Sequence, residues 1–203
     1  SATLALGLTL RVATELVQPE SFQIKEDLNY WLTTLCTFKE TRLIPNPEPT
    51  DIGWVGDAST SFGVGVLIGC HWTQFQLARG WEGERKPFQN IAWVETAAIR
   101  VGIAMIQKLG VRPGKNLIVF TDNTTTEGVI RNRRSNDFHV NEEWKKIQAL
   151  LVELQINITP KRVSSEENRA DSLSRGDKTG VKPEFLLPVL LPLDLDPFLV
   201  QCS

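Results

Sequence analysis

Residues Ile52 to Gly69 read Ile-Gly-Trp-Val-Gly-Asp-Ala-Ser-Thr-Ser-Phe-Gly-Val-Gly-Val-Leu-Ile-Gly. Two apolar runs, Trp54-Val55 and Val64 to Ile68, flank small residues and one carboxylate, Asp57. β-Branched and aromatic residues bounded by Gly form strands, because branched side chains pack well on a pleated surface. The stretch predicts a hairpin whose first strand ends by delivering Asp57 to the mouth of a site. Gly56, Gly63 and Gly65 leave room there for a backbone or a ligand. One acid after a strand specifies little. It gains meaning only if other acids arrive at the same place.

Toward the C-terminus, His71 to Leu77 is a third strand, with Trp72, Phe75 and Leu77 as core candidates. After a polar loop over 78–90, Ile91 begins a long helix that ends near Gly110, a C-cap signal. Val94, Ala97, Ala98, Val101, Ala104 and Met105 suit its buried face, and Glu95 falls in its first turn, where acids also serve as helix-dipole partners. Leu117 to Phe120 is a continuous apolar run, as in a strand covered on both faces. Asp122 stands at its carboxyl end, where open α/β sheets keep their sites. Thr124 to Arg131 starts a helix, and Asn141 is expected to cap another that runs to about Gln155. Asn157 to Val163 is a short strand. Ser164 or Ser165 caps a last helix that carries Asp171. Residues 176–203, rich in Pro and Leu, are expected as a non-helical tail packed loosely on the domain or on an absent partner.

Toward the N-terminus, residues 22–38 place Leu28, Trp31, Leu32, Leu35 and Phe38 on one helical face, the pattern of a packing helix. Three prolines within 42–51 exclude helix and favour an extended linker. The expected organisation is a helical arm (1–41), a Pro-rich linker (42–51), a main domain (52–175) and the tail (176–203). The 203 residues are 41% hydrophobic and 23% charged, a globular composition. No apolar run approaches the ~20 residues of a membrane span, so no membrane partner is expected. Ala2 to Leu10 lacks the basic start of a signal peptide. Cys36, Cys70 and Cys202 are scattered and odd in number, which fits free thiols in a reducing, intracellular setting. A chain opening on Ser1 rather than Met is expected to be part of something longer. Net charge is −2, so bulk charge does not announce a nucleic-acid binder. Between Arg112 and Lys178, however, twelve Lys and Arg face ten Asp and Glu, which permits phosphate binding.

The element order β-β-β-α-β-α-α-β-α, with Asp57, Glu95, Asp122 and Asp171 at those positions, resembles the ribonuclease H domain over about residues 52–175. Asp57-Ala-Ser-Thr-Ser-Phe-Gly is similar to that family's first-strand acid, Trp93-Val-Glu95-Thr-Ala-Ala to its helix acid, and Thr121-Asp122-Asn123 to its fourth-strand acid. Glu167-Asn168-Arg169-Ala170-Asp171-Ser172-Leu173-Ser174-Arg175 resembles the end of ribonuclease H domains in retroelement reverse transcriptases, most of all fungal gypsy-like and DIRS-like elements. There the domain follows a polymerase through a helix such as Asp27-Leu-Asn-Tyr-Trp31. The resemblance implies an α/β ribonuclease H-like fold with a five-stranded mixed sheet flanked by helices. It implies an RNA–DNA hybrid as partner and a polymerase domain in the same polyprotein.

Converging acids need an explanation of their own. Two like charges ~4 Å apart cost about 4 kcal/mol at an effective dielectric of ~20, and several such pairs rival the ~5–15 kcal/mol stability of a domain. The acids are therefore protonated in part or neutralised by cations. Oxygen ligands without His or Cys select Mg²⁺ or Mn²⁺, and two such ions ~3.5–4 Å apart hold the attacking water and the leaving 3′ oxygen of a phosphodiester. The implied reaction is hydrolysis of the RNA strand of a hybrid, leaving a 5′ phosphate. Asp57 is expected to be shared by both ions, Glu95 and Asp122 to hold one and Asp171 the other. Glu95 is also a candidate partner of the 2′-hydroxyl.

Ser59, Thr60, Ser61, Asn123, Asn168 and Arg169 are candidate substrate contacts, with turn chemistry as the alternative for the Ser-Thr-Ser run and Asn123. Arg131, Arg133, Arg134, Lys161, Arg162 and Arg169 are phosphate candidates or a solvated face. The chain departs from the family in having no His shortly before the last acid and little room for a basic protrusion between Asp122 and Asp171. It also has no polymerase Asp-Asp motif. An inactive ribonuclease H-like binding or assembly module remains the alternative. An integrase-like reading is disfavoured, because there the last acid is a helical Glu, whereas Asp171 follows Asn-Arg-Ala.

Overall fold

The computed structural model describes residues 21–36, 47–84, 86 and 88–202. Two units are described separately. Among the described residues the first contributes one helix, α1 (Ser21–Cys36). Its expected packing face is exposed: Leu28, Trp31, Leu32 and Leu35 are each more than half accessible. Residues 1–20, Phe38 and the first part of the expected linker, 42–46, lie outside the described residues.

The second unit is built on the hairpin. β1 (Thr50–Ala58) and β2 (Gly63–Ile68) pair antiparallel, with Asp57 opposite Gly65. The N–H of Ser59 donates to the Gly63 carbonyl at 2.7 Å and closes the turn. β3 (His71–Leu77) continues the meander, with Gln74 opposite Gly65. There follow α2 (Ile91–Leu109), β4 (Asn116–Thr121), α3 (Thr124–Asn132), α4 (Phe138–Glu153) and β5 (Asn157–Arg162). A 3₁₀ turn (Ser165–Glu167) then leads into the short helix α5 (Asp171–Ser174), and β6 (Leu199–Gln201) is the last strand. The sheet order is β5-β4-β1-β2-β3-β6. β1, β4 and β5 run parallel, and β2, β3 and β6 join by antiparallel pairing.

Strand periodicity sends alternate side chains to opposite faces, and each face is covered differently. Trp54, Val64, Val66 and Phe75 pack under α2 in a large apolar core that also takes Trp144 and Ile147 of α4. Trp54 is fully buried and packs against Gly102, where an added Cβ would stand 2.3 Å from the indole nitrogen. The opposite face is smaller. Val55, Leu67 and Trp72 meet Ala170 and Leu173 of the α5 segment.

Four local expectations are corrected. The sheet has six strands rather than five, because β6 adds to the edge of β3. The tail does not pack loosely. Val189, Leu195 and Leu199 are buried, Trp72 Nε1 donates to the Lys182 carbonyl at 2.8 Å, and Leu187 N–H to the Trp72 carbonyl at 2.8 Å. Burying a side chain of that size contributes about 1.5–3 kcal/mol, enough to fix a strap that sequence alone reads as Pro-broken coil. α4 starts at Phe138, capped by the Asp137 carboxylate at 3.0 Å from Val140 N, while Asn141 accepts from Ser135 N instead. Glu95 lies in the second turn of α2, beyond the unpaired N–H groups of the helix start. No described helix is long and apolar enough to cross a membrane.

Candidate active site

Cross-strand partners share a face, so Asp57, Gly65 and Gln74 form a row across β1, β2 and β3. α5 lies directly on that row. A Cβ at Gly65 would meet Leu173 Cβ at 2.4 Å and Ser174 N at 2.8 Å, so glycine lets the helix touch the sheet. Gln74, fully buried, donates through Nε2 to the Leu173 carbonyl at 2.7 Å. The Ser174 hydroxyl shares its one proton between Asp57 Oδ2 and the Asp171 carbonyl. Asp171 opens α5 and so comes to the same end of the sheet as Asp57.

Asp122 follows the last residue of β4, beside β1. Asn168 joins the two: its Nδ2 donates to Asp57 Oδ1 at 2.8 Å and to Asp122 Oδ1 at 2.9 Å. Glu95 completes the group by reaching the end of β1, where it accepts from the Ala58 N–H and the Asn123 side chain. Burial pushes the Glu95 carboxyl up to about 8, the charges of Asp57 and Asp122 add to the rise, and those two hydrogen bonds oppose it. Burial likewise pushes Asp57 up to about 6; the Ser174 hydroxyl opposes this, Asp122 and Asp171 add to it, and Asn168 opposes it. Four acids from four separate elements thus share one electrostatic neighbourhood.

The group is spaced by donors rather than closed on a point. Among the described residues no three acid, His or Cys side chains are grouped to hold one ion as they stand. Amide and hydroxyl donors take oxygens of Asp57 and Asp122, and Arg175 Nε takes both oxygens of Asp171, at 2.9 and 3.0 Å. That last pair faces solvent, with Arg175 61% and Asp171 38% accessible, so it contributes little and exchanges easily. The donor chemistry suits hard divalent cations: oxygen only, like-charged and forced toward protonation without them.

The other candidates divide. Ser59, Thr60 and Ser61 form the β1–β2 turn just after Asp57, with the Ser59 and Ser61 hydroxyls 2.7 Å apart. Arg169 is exposed beside the acids. Asn123 caps α3, accepting from Thr125 N at 2.8 Å and Thr126 N at 3.1 Å, so its carbonyl is committed to the helix. Arg133 is a structural cation rather than a phosphate ligand: it donates to Asn157 Oδ1 and the Ile158 carbonyl and lies over Trp144. Arg131 and Arg162 both pair with Glu127. Ser174, Arg175 and Gln74 have no role in the sequence reading, although Ser174 and Arg175 close the quoted Glu167–Arg175 stretch.

No protein-family model matches the chain, and no curated protein matches it. Solved structures do. The chain is similar to LC11-RNase H1 crystallised with an RNA/DNA hybrid, at TM-score 0.50 and 17% identity over 61% of this chain and 94% of that one. A second structure of LC11-RNase H1, isolated from compost by a metagenomic approach, aligns at TM-score 0.47 and 19% identity over 59% and 88%. The N-terminal RNase H domain of rv2228c from Mycobacterium tuberculosis aligns at 0.46 and 15% over 63% and 96%. The likeness to the hybrid-bound LC11-RNase H1 shows a ribonuclease H-like α/β fold.

Proposed function

We propose that this chain is a metal-dependent endonuclease that hydrolyses the RNA strand of RNA–DNA hybrids, acting within retroelement reverse transcription beside a polymerase domain of the same polyprotein. The observation that carries this reading is the convergence of Asp57, Glu95, Asp122 and Asp171 from four elements of a ribonuclease H-like fold, with no buried cation among the described residues paired to them. Asp57, Glu95 and Asp122 would hold one Mg²⁺ or Mn²⁺, and Asp57 with Asp171 a second. Bound there, the ions lower the pKa of the attacking water and stabilise the leaving 3′ oxygen. The chain's own work is orientation. Ser174 and Asn168 fix the Asp57 carboxylate, Asn123 and Ala58 fix Glu95, and Arg175 would release the Asp171 oxygens for that acid to act as a ligand. The Ser59–Ser61 turn, next to Asp57, and the exposed Arg169 would meet the scissile strand's phosphates. Water adds to phosphorus, the P–O3′ bond breaks, and a 5′ phosphate and a 3′ hydroxyl result.

One observation favours a second reading, a hybrid-binding or assembly module without catalysis: Arg175 holds both oxygens of Asp171. A single assay separates the two. The full chain is incubated with Mg²⁺ and a hybrid labelled on the RNA strand, alongside the same sequence as single-stranded RNA and as DNA duplex. Cleavage confined to the RNA of the hybrid, with 5′-phosphate ends, is the expected result. Retention of hybrid without cleavage in either Mg²⁺ or Mn²⁺ would establish the module instead, and equal cutting of DNA duplex would overturn both.

A further inference from the structure

Asn168 is read from sequence as a substrate contact, whereas in the structure it is buried with both amide protons turned to the acids. The residue is 95% buried, and each polar atom of its side chain is committed. Its Oδ1 accepts from Ala170 N at 3.1 Å, and the Nδ2 group spans Asp57 and Asp122. Its backbone is held as firmly: the N–H donates to the Ser165 carbonyl, and its carbonyl accepts from Asp171 N–H. We infer that Asn168 is a positioning residue that holds Asp57 and Asp122 in the arrangement a divalent cation needs. This deepens the metal-site reading above and rests on it.

The choice of side chain follows from the chemistry. A primary amide offers two N–H donors from one neutral centre and an acceptor behind them. It can bridge two carboxylates without cancelling their charge. Lys or Arg at this position would neutralise the pair and compete with the cation, and Asp or Glu would add a fifth like charge and no donor. Each carboxylate oxygen that accepts from Nδ2 keeps a second lone pair for a ligand. Asp57 Oδ1 and Asp122 Oδ1 lie no further apart than the sum of the two bonds, so one donor group keeps both acids at the same end of the sheet. The Ser174 hydroxyl does the same for the other Asp57 oxygen. Neutral donors therefore stand at Asp57 and Asp122, and Arg175 stands at the half-exposed Asp171.

The test is a calorimetric titration of Mn²⁺ into the full chain, wild type against Asn168→Leu, Asn168→Ser and Asn168→Gln, with folding checked by near-UV circular dichroism. Leu has a similar volume and no donor. Removing a residue that orients metal ligands costs about 10–100-fold in metal affinity, and that loss is expected for Leu and Ser, with partial recovery in Gln. A folded Asn168→Leu protein that takes up Mn²⁺ like the wild type would overturn the inference. So would Gln and Ser variants of equal affinity, a comparison that stands even if the Leu variant does not fold. Wild-type protein with no Mn²⁺ uptake would instead sink the metal-site reading itself.

Discussion

Helix α2 carries two buried charges five residues apart, Glu95 and Arg100, and the chain treats them in opposite ways. Arg100, 3% accessible, is met by the carboxylate of Glu143 through two bonds of 2.8 and 2.9 Å and by Asp194 from the C-terminal strap. Lys146 joins Asp194 at 2.6 Å. Burial alone would raise Asp194, yet the bonds and charges of Arg100 and Lys146 bring it down to about 2. Glu95 meets only other acids and neutral donors, and it rises to about 8. A cluster neutralised within the chain and a neighbouring one left like-charged is the contrast that the proposed cation site requires. This contrast favours a cation site over a merely structural set of acids.

The largest expected effect separates the clusters by activity. Asp57→Asn should reduce hybrid cleavage to background while the metal-free protein melts higher, because a buried carboxylate among like charges is replaced by a neutral amide. Removing one charge of this kind is worth a few kcal/mol at most, about 2–4 °C for each kcal/mol in a chain of this size. Cleavage that survives the change would break the assignment. Arg100→Met should do the reverse: stripping the partner from buried Glu143 costs about 3–5 kcal/mol, with cleavage per folded molecule retained. Thermal melts and active-site-normalised rates check both.

Gly65→Ala tests how the acidic end is assembled. A Cβ overlapping Leu173 and Ser174 must push α5 from the sheet and break the Ser174–Asp57 bond. Overpacking of this kind costs about 1–3 kcal/mol, and activity should fall more than stability.

Stability should also depend on pH. Asp57 and Glu95 hold their protons more tightly folded than unfolded, where their ordinary values are 3.8 and 4.5. Their contribution is complete below those values and is lost as pH rises through about 6 and then about 8. Asp194 behaves oppositely: its contribution is present above 3.8 and is lost as pH falls toward about 2. Without divalent ions, the melting temperature should therefore decline from mildly acidic to mildly alkaline pH, and Glu95→Gln should flatten the upper part of that decline.

Much of the frame is legible in the sequence because it rests on local rules. β3 falls at His71–Leu77 as its apolar run predicts, and α2 runs from Ile91 to its Gly110 cap. What sequence does not disclose is long-range partnership. Asn168 meets Asp57 across 111 positions and Ser174 meets it across 117, so neither bond leaves a mark in local periodicity. β6 is three residues long, too short for a period-2 signal, and the prolines before it disguise a strap that is ordered by Trp72, Gln74 and Arg100 rather than by its own propensity. Asn123 and Arg133 read in sequence as candidate substrate and phosphate contacts, whereas their partners are the start of α3 and Glu95 for Asn123, and Asn157 and Ile158 for Arg133.

The central claim is that the acids at the end of β1 are completed by divalent cations. It is tested most directly by the melting temperature of the full chain at mildly alkaline pH, with and without millimolar Mn²⁺. A ligand that binds only the folded state stabilises it, so wild-type protein should melt several degrees higher with Mn²⁺ and Asp57→Asn should not respond. No shift in the wild type, or an equal shift in both, would contradict the account.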